Sequence, residues 1–245
     1  MSQSAQLEVL VKKHFHSATR DFTLDVMFTL AREIVVIFGA SGAGKTTILE
    51  CISGLLQPDA GSITLGERKL CDSAGKQNVS SRERRIGYVF QSLALFPHLT
   101  GRQNVGFGLG SLTAREREER VDEMLASFRA EHAADRFPDQ MSGGERQRIA
   151  LARSLVMRPD ALLLDEPMTA LDYETKAAIL HDLREWHTRH QIPVLYVTHA
   201  IDEVFAIADR VIKLADGRIV AEGKPHEVLG AERQRLLQEL QSVSR

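Results

Sequence analysis

The sequence predicts an α/β fold: a largely parallel sheet with an antiparallel β flank and an inserted helical subdomain. Short apolar runs alternate with helical patterns, which is typical of βα units. This alternation stops between Ser92 and Arg158, where apolar residues take helical spacing instead. The chain has 245 residues, 43% hydrophobic and 26% charged, so residues 1–245 are expected to form one domain around a sizeable core.

The clearest apolar runs are predicted to form the parallel sheet. They are Ile34–Phe38, Ile86–Phe90, Ala161–Leu164, Val194–Thr198 and Val211–Leu214. Alternating stretches predict the antiparallel flank at Glu8–Lys12, Phe22–Leu30 and Ser62–Leu65. The pair Asp216-Gly217 indicates a hairpin turn into Arg218–Ala221.

The helical block is predicted from its capping residues. Thr113 and Glu116 have capping-box spacing, and Ser142 can cap a second helix that runs to Leu155 before Pro159. The chain is therefore divided into an α/β core (1–91 and 159–230), a helical subdomain (92–158) and a C-terminal helical tail (231–245).

Composition argues against several classes of protein. The net charge of −2 provides no basic face for nucleic acid. Cys51 and Cys71 make no metal motif or disulfide framework, which fits a reducing cytosol, and Cys51 has the spacing of a core residue. Residues Met1–Gln6 lack a signal-peptide pattern, and no apolar run approaches the ~18 residues that span a bilayer. Any role at a membrane is expected from the cytoplasmic side, through partners.

A phosphate-binding loop is predicted after the first parallel strand. The segment fits G-x-x-x-x-G-K-[ST] and precedes a helix predicted at Thr47–Leu56. Its N–H groups and Lys45 would bind the phosphates of ATP, and the Thr46 hydroxyl would bind Mg²⁺. This arrangement predicts a P-loop NTPase (RecA-like) core. The residues of the loop are Gly39, Ala40, Ser41, Gly42, Ala43, Gly44, Lys45 and Thr46, followed by Thr47.

Two acidic residues end the run Ala161–Leu164. Asp165 and Glu166 fall at the carboxyl end of a buried strand, where open α/β sheets place their ligands. Asp165 would hold Mg²⁺, and Glu166 would polarise a water for attack on the γ-phosphate.

The segment Met141-Ser142-Gly143-Gly144-Glu145 resembles the signature L-S-G-G-Q of the ABC family. Met141 stands where the signature has leucine and is also apolar. Glu145 stands where the signature has glutamine, and the Ser-Gly-Gly core is unchanged. The resemblance implies that Ser142, Gly143 and Gly144 bind the γ-phosphate held by an opposite subunit. Two chains would then form a head-to-tail homodimer around two ATP molecules.

Further family elements follow in order. Gln91 resembles the family's glutamine loop, Leu171-Asp172 its dimer-contact loop, and His199 its switch histidine. The resemblance implies Lys45, Glu166 and His199 as catalytic residues and Thr46, Gln91 and Asp165 as Mg²⁺ ligands. Adenine would stack on an aromatic residue, for which Phe15 is a candidate, whereas Phe22 has the spacing of a core residue.

The neighbourhood of Gln91 looks like that of importer ATPases for sulfate, molybdate and sugars, on the segments Arg84–Gln91, Leu95–Leu99 and Asn104-Val105. Phe22–Val26 is most similar to molybdate-importer ATPases. The resemblance implies an ATPase that energises import of an oxyanion such as molybdate. It would sit peripherally at the cytoplasmic face of the inner membrane, bound to integral membrane permease subunits and served indirectly by a solute-binding protein.

Several alternatives stay open at this point. Leu95, Phe96 and Leu99 either line a groove for the permease or belong to the core. The chain is too short to include the β-rich regulatory domain that often follows in this group. The rival functions are an exporter ATPase, a soluble ABC ATPase of DNA repair or translation, and a soluble P-loop kinase, which would not need Ser142-Gly143-Gly144.

Overall fold

The computed structural model describes residues 6–16, 21–169 and 171–243 and shows a mixed α/β architecture with two sheets. The strands are β1 (Leu7–Phe15), β2 (Phe22–Leu30), β3 (Ile34–Phe38), β4 (Ala60–Leu65), β5 (Arg68–Asp72), β6 (Gln77–Asn78), β7 (Ile86–Val89), β8 (Ala161–Asp165), β9 (Val194–Thr198), β10 (Arg210–Ala215) and β11 (Arg218–Gly223). The helices are α1 (Lys45–Ser53), α2 (Gly101–Gly106), α3 (Ala114–Ser127), α4 (Gly143–Leu155), α5 (Tyr173–His190), α6 (Ile201–Ile207) and α7 (Pro225–Val243).

The central sheet has the strand order β11-β10-β3-β9-β8-β7 and is parallel except for β11. Its inner strands β8 and β9 are buried along their whole length, which explains their uninterrupted apolar sequence. The parallel register places Phe38 opposite Thr198 and Asp165 opposite Val197. The residues that follow β3, β8 and β9 therefore meet at one edge of the sheet.

Two hydrophobic cores lie on the two faces of this sheet. Successive residues of β3 alternate between them, so that Ile34 and Val36 face one core and Val35 and Ile37 the other. The first core contains the apolar faces of α3, α4 and α5. The second core contains α1 and the antiparallel sheet, whose strand order is β2-β1-β4-β5-β6.

The predicted capping residues begin both helices of the inserted block. Thr113 and Glu116 form a capping box at α3, and Ser142 and Glu145 form another at α4. Helix α2 was not predicted, although Thr100 caps it in the same way. The block at 92–158 is helical, and its standing as a separate subdomain stays a prediction.

Helix α1 differs from the prediction at both ends. It begins at Lys45 rather than Thr47 and ends at Ser53 rather than Leu56. Gly54 has a positive φ of 81° and terminates the helix, since this conformation is strained for other residues. The small strands β5 and β6 were also missed, and β7 ends at Val89 rather than Phe90.

Helix α1 is held at its carboxyl end by a buried arginine. The Arg84 guanidinium donates through Nη1 to the carbonyl oxygens of Cys51 and Ile52, at 2.8 and 2.7 Å. Arg84 is 0% exposed, and burial lowers its pKa. The carbonyl groups at the negative end of the helix dipole stabilise this charge. The helix that begins at the predicted phosphate loop is thereby fixed to the strand preceding the glutamine loop.

Both cysteines are buried free thiols, as expected for Cys51. Burial raises the pKa of the Cys51 thiol to about 12 and also raises the pKa of Cys71. Near neutral pH the reactive thiolate is therefore scarce at both positions.

The C-terminal tail is helical, because α7 continues through Val243. None of the helices in the described part of the chain combines the length and apolar character that a bilayer crossing requires. The prediction about a signal peptide concerns Met1–Gln6, of which residues 1–5 lie outside the described residues. Residues 17–20, between the aromatic candidates Phe15 and Phe22, and residues 244–245 of the tail also lie outside them.

Candidate functional site

The predicted phosphate loop connects β3 to α1 and presents unused backbone donors. No backbone hydrogen bond in the described chain uses the N–H groups of Gly42, Lys45 or Thr46. Gly44 begins the helix with a φ of 101°, and a Cβ there would lie 3.0 Å from Leu24 Cδ1. The loop therefore offers inward N–H groups at the positive end of α1, as an anion requires.

The neighbouring hairpin supports this loop. In the β10–β11 turn, Asp216 and Gly217 both have positive φ, which confirms the predicted turn. The N–H of Gly217 donates to the carbonyl of Ala43 at 3.2 Å, and its own carbonyl accepts from the N–H of Asp25 at 2.8 Å. The turn thus ties the loop to strand β2.

Lys45 lies inside the phosphate loop and is 5% exposed. Its Nζ donates to the carbonyl oxygens of Gly39 and Ala40 at 2.9 and 3.0 Å, and lies 3.6 Å from Glu166 Oε1. The cation is therefore held at the position where the loop would receive phosphate oxygens.

The two acidic residues take different environments at the end of β8. Thr46 Oγ1 donates to Asp165 Oδ1 at 3.2 Å, and the Tyr88 hydroxyl donates to Asp165 Oδ2 at 3.4 Å. Burial raises the pKa of Asp165, and the hydrogen bond from Thr46 opposes this shift. A hydroxyl and a carboxylate thus converge as hard oxygen ligands, a donor set that fits Mg²⁺ together with phosphate and water oxygens. The Tyr88 contact was not predicted.

Glu166 has a left-handed backbone with a φ of 44°. Its Oε2 lies 3.1 Å from His199 Nδ1, and its side chain is 15% exposed whereas that of His199 is 57% exposed. The structure therefore brings Lys45, Glu166 and His199 together, although they are distant in the sequence.

A buried carboxylate missed by the sequence analysis supports the His199 turn. Glu203 Oε2 accepts from the hydroxyls of Tyr196 and Thr198, each at 2.8 Å. Glu203 Oε1 lies 2.9 Å from Lys176 Nζ. Thr198 Oγ1 also accepts from the N–H of Ala200 at 3.0 Å, so the network fixes the backbone on both sides of His199.

A cleft of about 440 Å³ joins these groups. The rings of Phe15 and Phe22 lie 6.2 Å apart at one end of it. Phe22 also packs against the core, as its spacing predicted, and so belongs to both environments. The lining residues are Phe15, Phe22, Ser41, Gly42, Gly44, Lys45, Thr46, Thr47, Gln91 and Glu166.

The Ser-Gly-Gly segment begins α4 and is not part of the lining of this cleft in the described chain. Ser142 Oγ accepts from the N–H of Glu145 at 3.2 Å, which leaves the hydroxyl hydrogen free to donate. No backbone hydrogen bond in the described residues uses the N–H groups of Gly143 or Gly144. The segment therefore presents the free donors that an anion site requires, and it lies apart from the phosphate loop of the same chain.

Glu145, which replaces the usual glutamine of this signature, completes the helix cap. Its Oε2 accepts from the N–H of Ser142 at 2.7 Å, and this hydrogen bond lowers the pKa of Glu145. Its Oε1 lies 2.8 Å from Arg136 Nη1 and 3.0 Å from His132 Nε2. The added negative charge is thus balanced by neighbouring groups.

Residues 24–169 match the family described as ABC transporter. The chain belongs to the ABC transporter family. The resemblance stated from the motifs is confirmed, and so is the predicted fold class.

Relatives in the ABC transporter family have named import functions. The chain is 41% identical to the molybdate/tungstate import ATP-binding protein WtpC of Archaeoglobus fulgidus, covering 86% of each chain. It is 41% identical to the molybdenum import ATP-binding protein ModC of Rhodospirillum rubrum, over 84% of this chain and 56% of that protein. It is 43% identical to ModC of Mycobacterium tuberculosis, over 91% of this chain and 63% of that protein. The chain therefore spans little more than half the length of several relatives.

Solved ABC structures share the fold. One is an ATP-binding cassette in a dimeric, post-hydrolysis state bound to ADP and Pi, with a TM-score of 0.77 and 32% identity, covering 90% of this chain and 98% of that chain. Another is part of the cbiONQ ABC transporter complex of Clostridium perfringens, with a TM-score of 0.81 and 29% identity, covering 94% and 92%.

Leu95, Phe96 and Leu99, which were expected to line a permease groove or to belong to the core, differ in their surroundings. Leu95 packs against the larger core. The Phe96 ring packs at a tilt against that of Phe107, with ring centroids 4.3 Å apart, and Leu99 lines a cavity of about 530 Å³ beside Phe107. Phe107 itself is 60% exposed, so this cavity presents an aromatic surface to solvent.

Proposed function

We propose that this chain binds ATP with Mg²⁺ and hydrolyses it to energise an ABC importer. The observation that carries the proposal is the cluster of Lys45, Glu166 and His199 beside the phosphate loop, in which the Glu166 carboxylate lies 3.6 Å from Lys45 Nζ and 3.1 Å from His199 Nδ1. The import names of relatives at about 41% identity favour import over export, and they support molybdate or tungstate as the cargo.

The phosphates would be bound by the loop N–H groups and by Lys45. Thr46, Asp165 and Gln91 would hold Mg²⁺, which neutralises charge on the phosphate oxygens when bound. Glu166 would accept a proton from a water as the water oxygen attacks the γ-phosphorus and the bond to the ADP oxygen breaks. His199 would orient Glu166 and the water, and Phe15 or Phe22 would stack on adenine.

Each site would be completed by a second copy of the chain in a head-to-tail homodimer. The free donors of Ser142, Gly143 and Gly144 support this proposal, since they lie outside the cleft of their own chain. The dimeric state of a related cassette supports it as well. Integral membrane permease subunits would bind this dimer at the cytoplasmic face of the membrane, and a solute-binding protein would deliver the cargo.

Ser142→Arg tests the composite site. We expect ATP turnover to fall about 100-fold or more, because the variant removes a donor to the γ-phosphate. The larger arginine side chain would also obstruct the contact between Ser142 and the ATP bound by the second copy. ATP binding at the phosphate loop should persist. Turnover is measured by phosphate release and binding by calorimetry, with Ser111→Arg at an exposed loop position as the matched control. Full turnover in Ser142→Arg would exclude the composite site and favour a P-loop kinase.

The cargo is tested with the intact transporter in vesicles. Turnover should rise when a solute-binding protein carrying molybdate or tungstate is added, and should not rise with the same protein free of oxyanion. Stimulation by sulfate alone would show that sulfate, rather than molybdate or tungstate, is the cargo. If the chain purifies without a permease, the proposed role in transport would be wrong.

A further inference from the structure

The segment after Gln91 adopts an unfavourable backbone. Leu93 and Ala94 follow each other with φ values of 59° and 46°, and neither is a glycine. Positive φ brings Cβ close to the following carbonyl oxygen in L-residues, so two such residues in succession require support from the surrounding structure.

A single arginine from α4 provides that support. Arg153 Nη1 donates to the carbonyl oxygen of Ala94 at 2.7 Å, and Nη2 donates to that of Leu93 at 2.8 Å. The guanidinium also lies over the Phe96 ring, 5.4 Å from its centroid. Arg153 is half-buried, and this burial lowers its pKa. In the described chain, no other side chain donates to these two carbonyl oxygens.

The fork of the guanidinium explains why arginine occupies this position. Its planar group can donate to two adjacent carbonyl oxygens while it lies over an aromatic ring. A lysine ammonium cannot reproduce the two parallel bonds and the stacking together.

Arg153 belongs to the helix that begins with the Ser-Gly-Gly segment. Helix α4 starts after Ser142, and ten residues of helical rise separate Gly143 from Arg153, about 15 Å. A helix of this length moves as a rigid element. A displacement of its first turn would therefore move Arg153 as well. It would also move the carbonyl oxygens of Leu93 and Ala94, which Arg153 binds just after Gln91.

We propose that Arg153 is a positioning residue that links the Ser-Gly-Gly end of α4 to Gln91. This inference rests on the proposed function, because Gln91 acts there on Mg²⁺ and the γ-phosphate. Arg153 is not among the residues that line the cleft. It holds the strained loop so that Gln91 projects into the cleft, and it makes the position of Gln91 depend on the position of α4.

Arg153→Met removes the guanidinium and keeps a side chain of similar length. A nitroxide attached at Ser92→Cys, an exposed loop position, reports on the loop, since Cys51 and Cys71 are buried. We expect the label to become more mobile in Arg153→Met. ATP affinity should stay within about twofold, because Arg153 is not among the cleft residues, whereas turnover without the label should fall about tenfold or more as Gln91 is displaced.

Epistasis with Gln91 separates positioning from a general loss of packing. In a Gln91→Ala background, Arg153→Met should cause no further loss of turnover, because both changes remove the same contribution. Additive losses would overturn the inference. Arg153→Lys should give label mobility and turnover between those of the unaltered chain and Arg153→Met. If Arg153→Met fails to fold, Arg153→Lys serves as the test of the guanidinium's role. A Lys variant identical to the unaltered chain in both readouts would contradict the role of the guanidinium fork.

Arg158→Met, at an exposed arginine just beyond α4, is the matched control and should change neither readout. The mobility of the label does not require hydrolysis. An unaltered chain without turnover would therefore refute the proposed function, whereas equal label mobility in the unaltered chain and Arg153→Met would refute this inference alone.

Discussion

Glu166→Gln is expected to lower ATP turnover by about 10²–10⁴-fold while ATP still binds. The amide keeps the shape of the side chain but cannot accept a proton from the attacking water. It also removes the negative charge that lies beside Lys45 and His199. Bound ATP should therefore accumulate, and with it the head-to-tail dimer. Phosphate release measures turnover, and size-exclusion chromatography with saturating ATP measures the dimer.

Glu185→Gln is the control for this prediction. Glu185 is an exposed acid on α5 that pairs with Arg189 one turn away, so its neutralisation should leave turnover unchanged. If Glu166→Gln retains turnover within tenfold of the unaltered chain, proton transfer must be assigned elsewhere. His199→Ala would then be the next variant, since His199 is the neighbouring group able to take a proton.

Asp182→Ala is expected to lower the free energy of unfolding by about 3–5 kcal/mol. Asp182 is 2% exposed and lies on α5, where its carboxylate pairs with the Arg148 guanidinium of α4. Arg148 also donates to the carbonyl oxygen of Phe128 at 2.7 Å. Removing the carboxylate leaves the guanidinium largely buried without its counter-ion. Urea unfolding would measure the loss, which corresponds to a fall in Tm of roughly 6–20 °C.

Two comparisons define the cause of this destabilisation. Glu185→Ala removes an exposed acid from the same helix and should cost less than about 1 kcal/mol. The double variant Arg148→Met/Asp182→Leu replaces both charges with apolar groups and should be more stable than Asp182→Ala alone. A double variant less stable than Asp182→Ala would show that the hydrogen bond to Phe128, rather than the unpaired charge, dominates.

The phosphate loop and the carboxylate pair were predictable because their determinants are contiguous. Glycines, Lys45 and Thr46 stand next to one another between a strand and a helix, and Asp165 and Glu166 directly end an apolar run. The parallel register then brings these segments to one edge of the sheet without further information. The extent of α1 was less predictable, since it depends on the conformations of Gly44 and Gly54 rather than on apolar periodicity.

The supporting groups could not be predicted, because their partners are distant in the sequence. Tyr88 contacts Asp165 across two adjacent strands, and Arg153 reaches the loop of Leu93 and Ala94 from another helix. Each looks like an ordinary strand or helix residue in the sequence. The pattern gives no sign of the positive φ at Leu93 and Ala94 either, since such values usually belong to glycine.

The left-handed backbone of Glu166 has a consequence for how this protein evolves. Glycine adopts this conformation at the lowest energetic cost, and any other residue here lowers the stability of the fold by about 1–2 kcal/mol. Selection for stability alone would therefore favour glycine at this position. A carboxylate beside Lys45 and His199 therefore occupies a position where backbone preference alone favours glycine, as strained residues at functional sites commonly do. Under the proposed function, a glycine here would give a more stable protein without ATP turnover, so stability and activity would be opposed at this position.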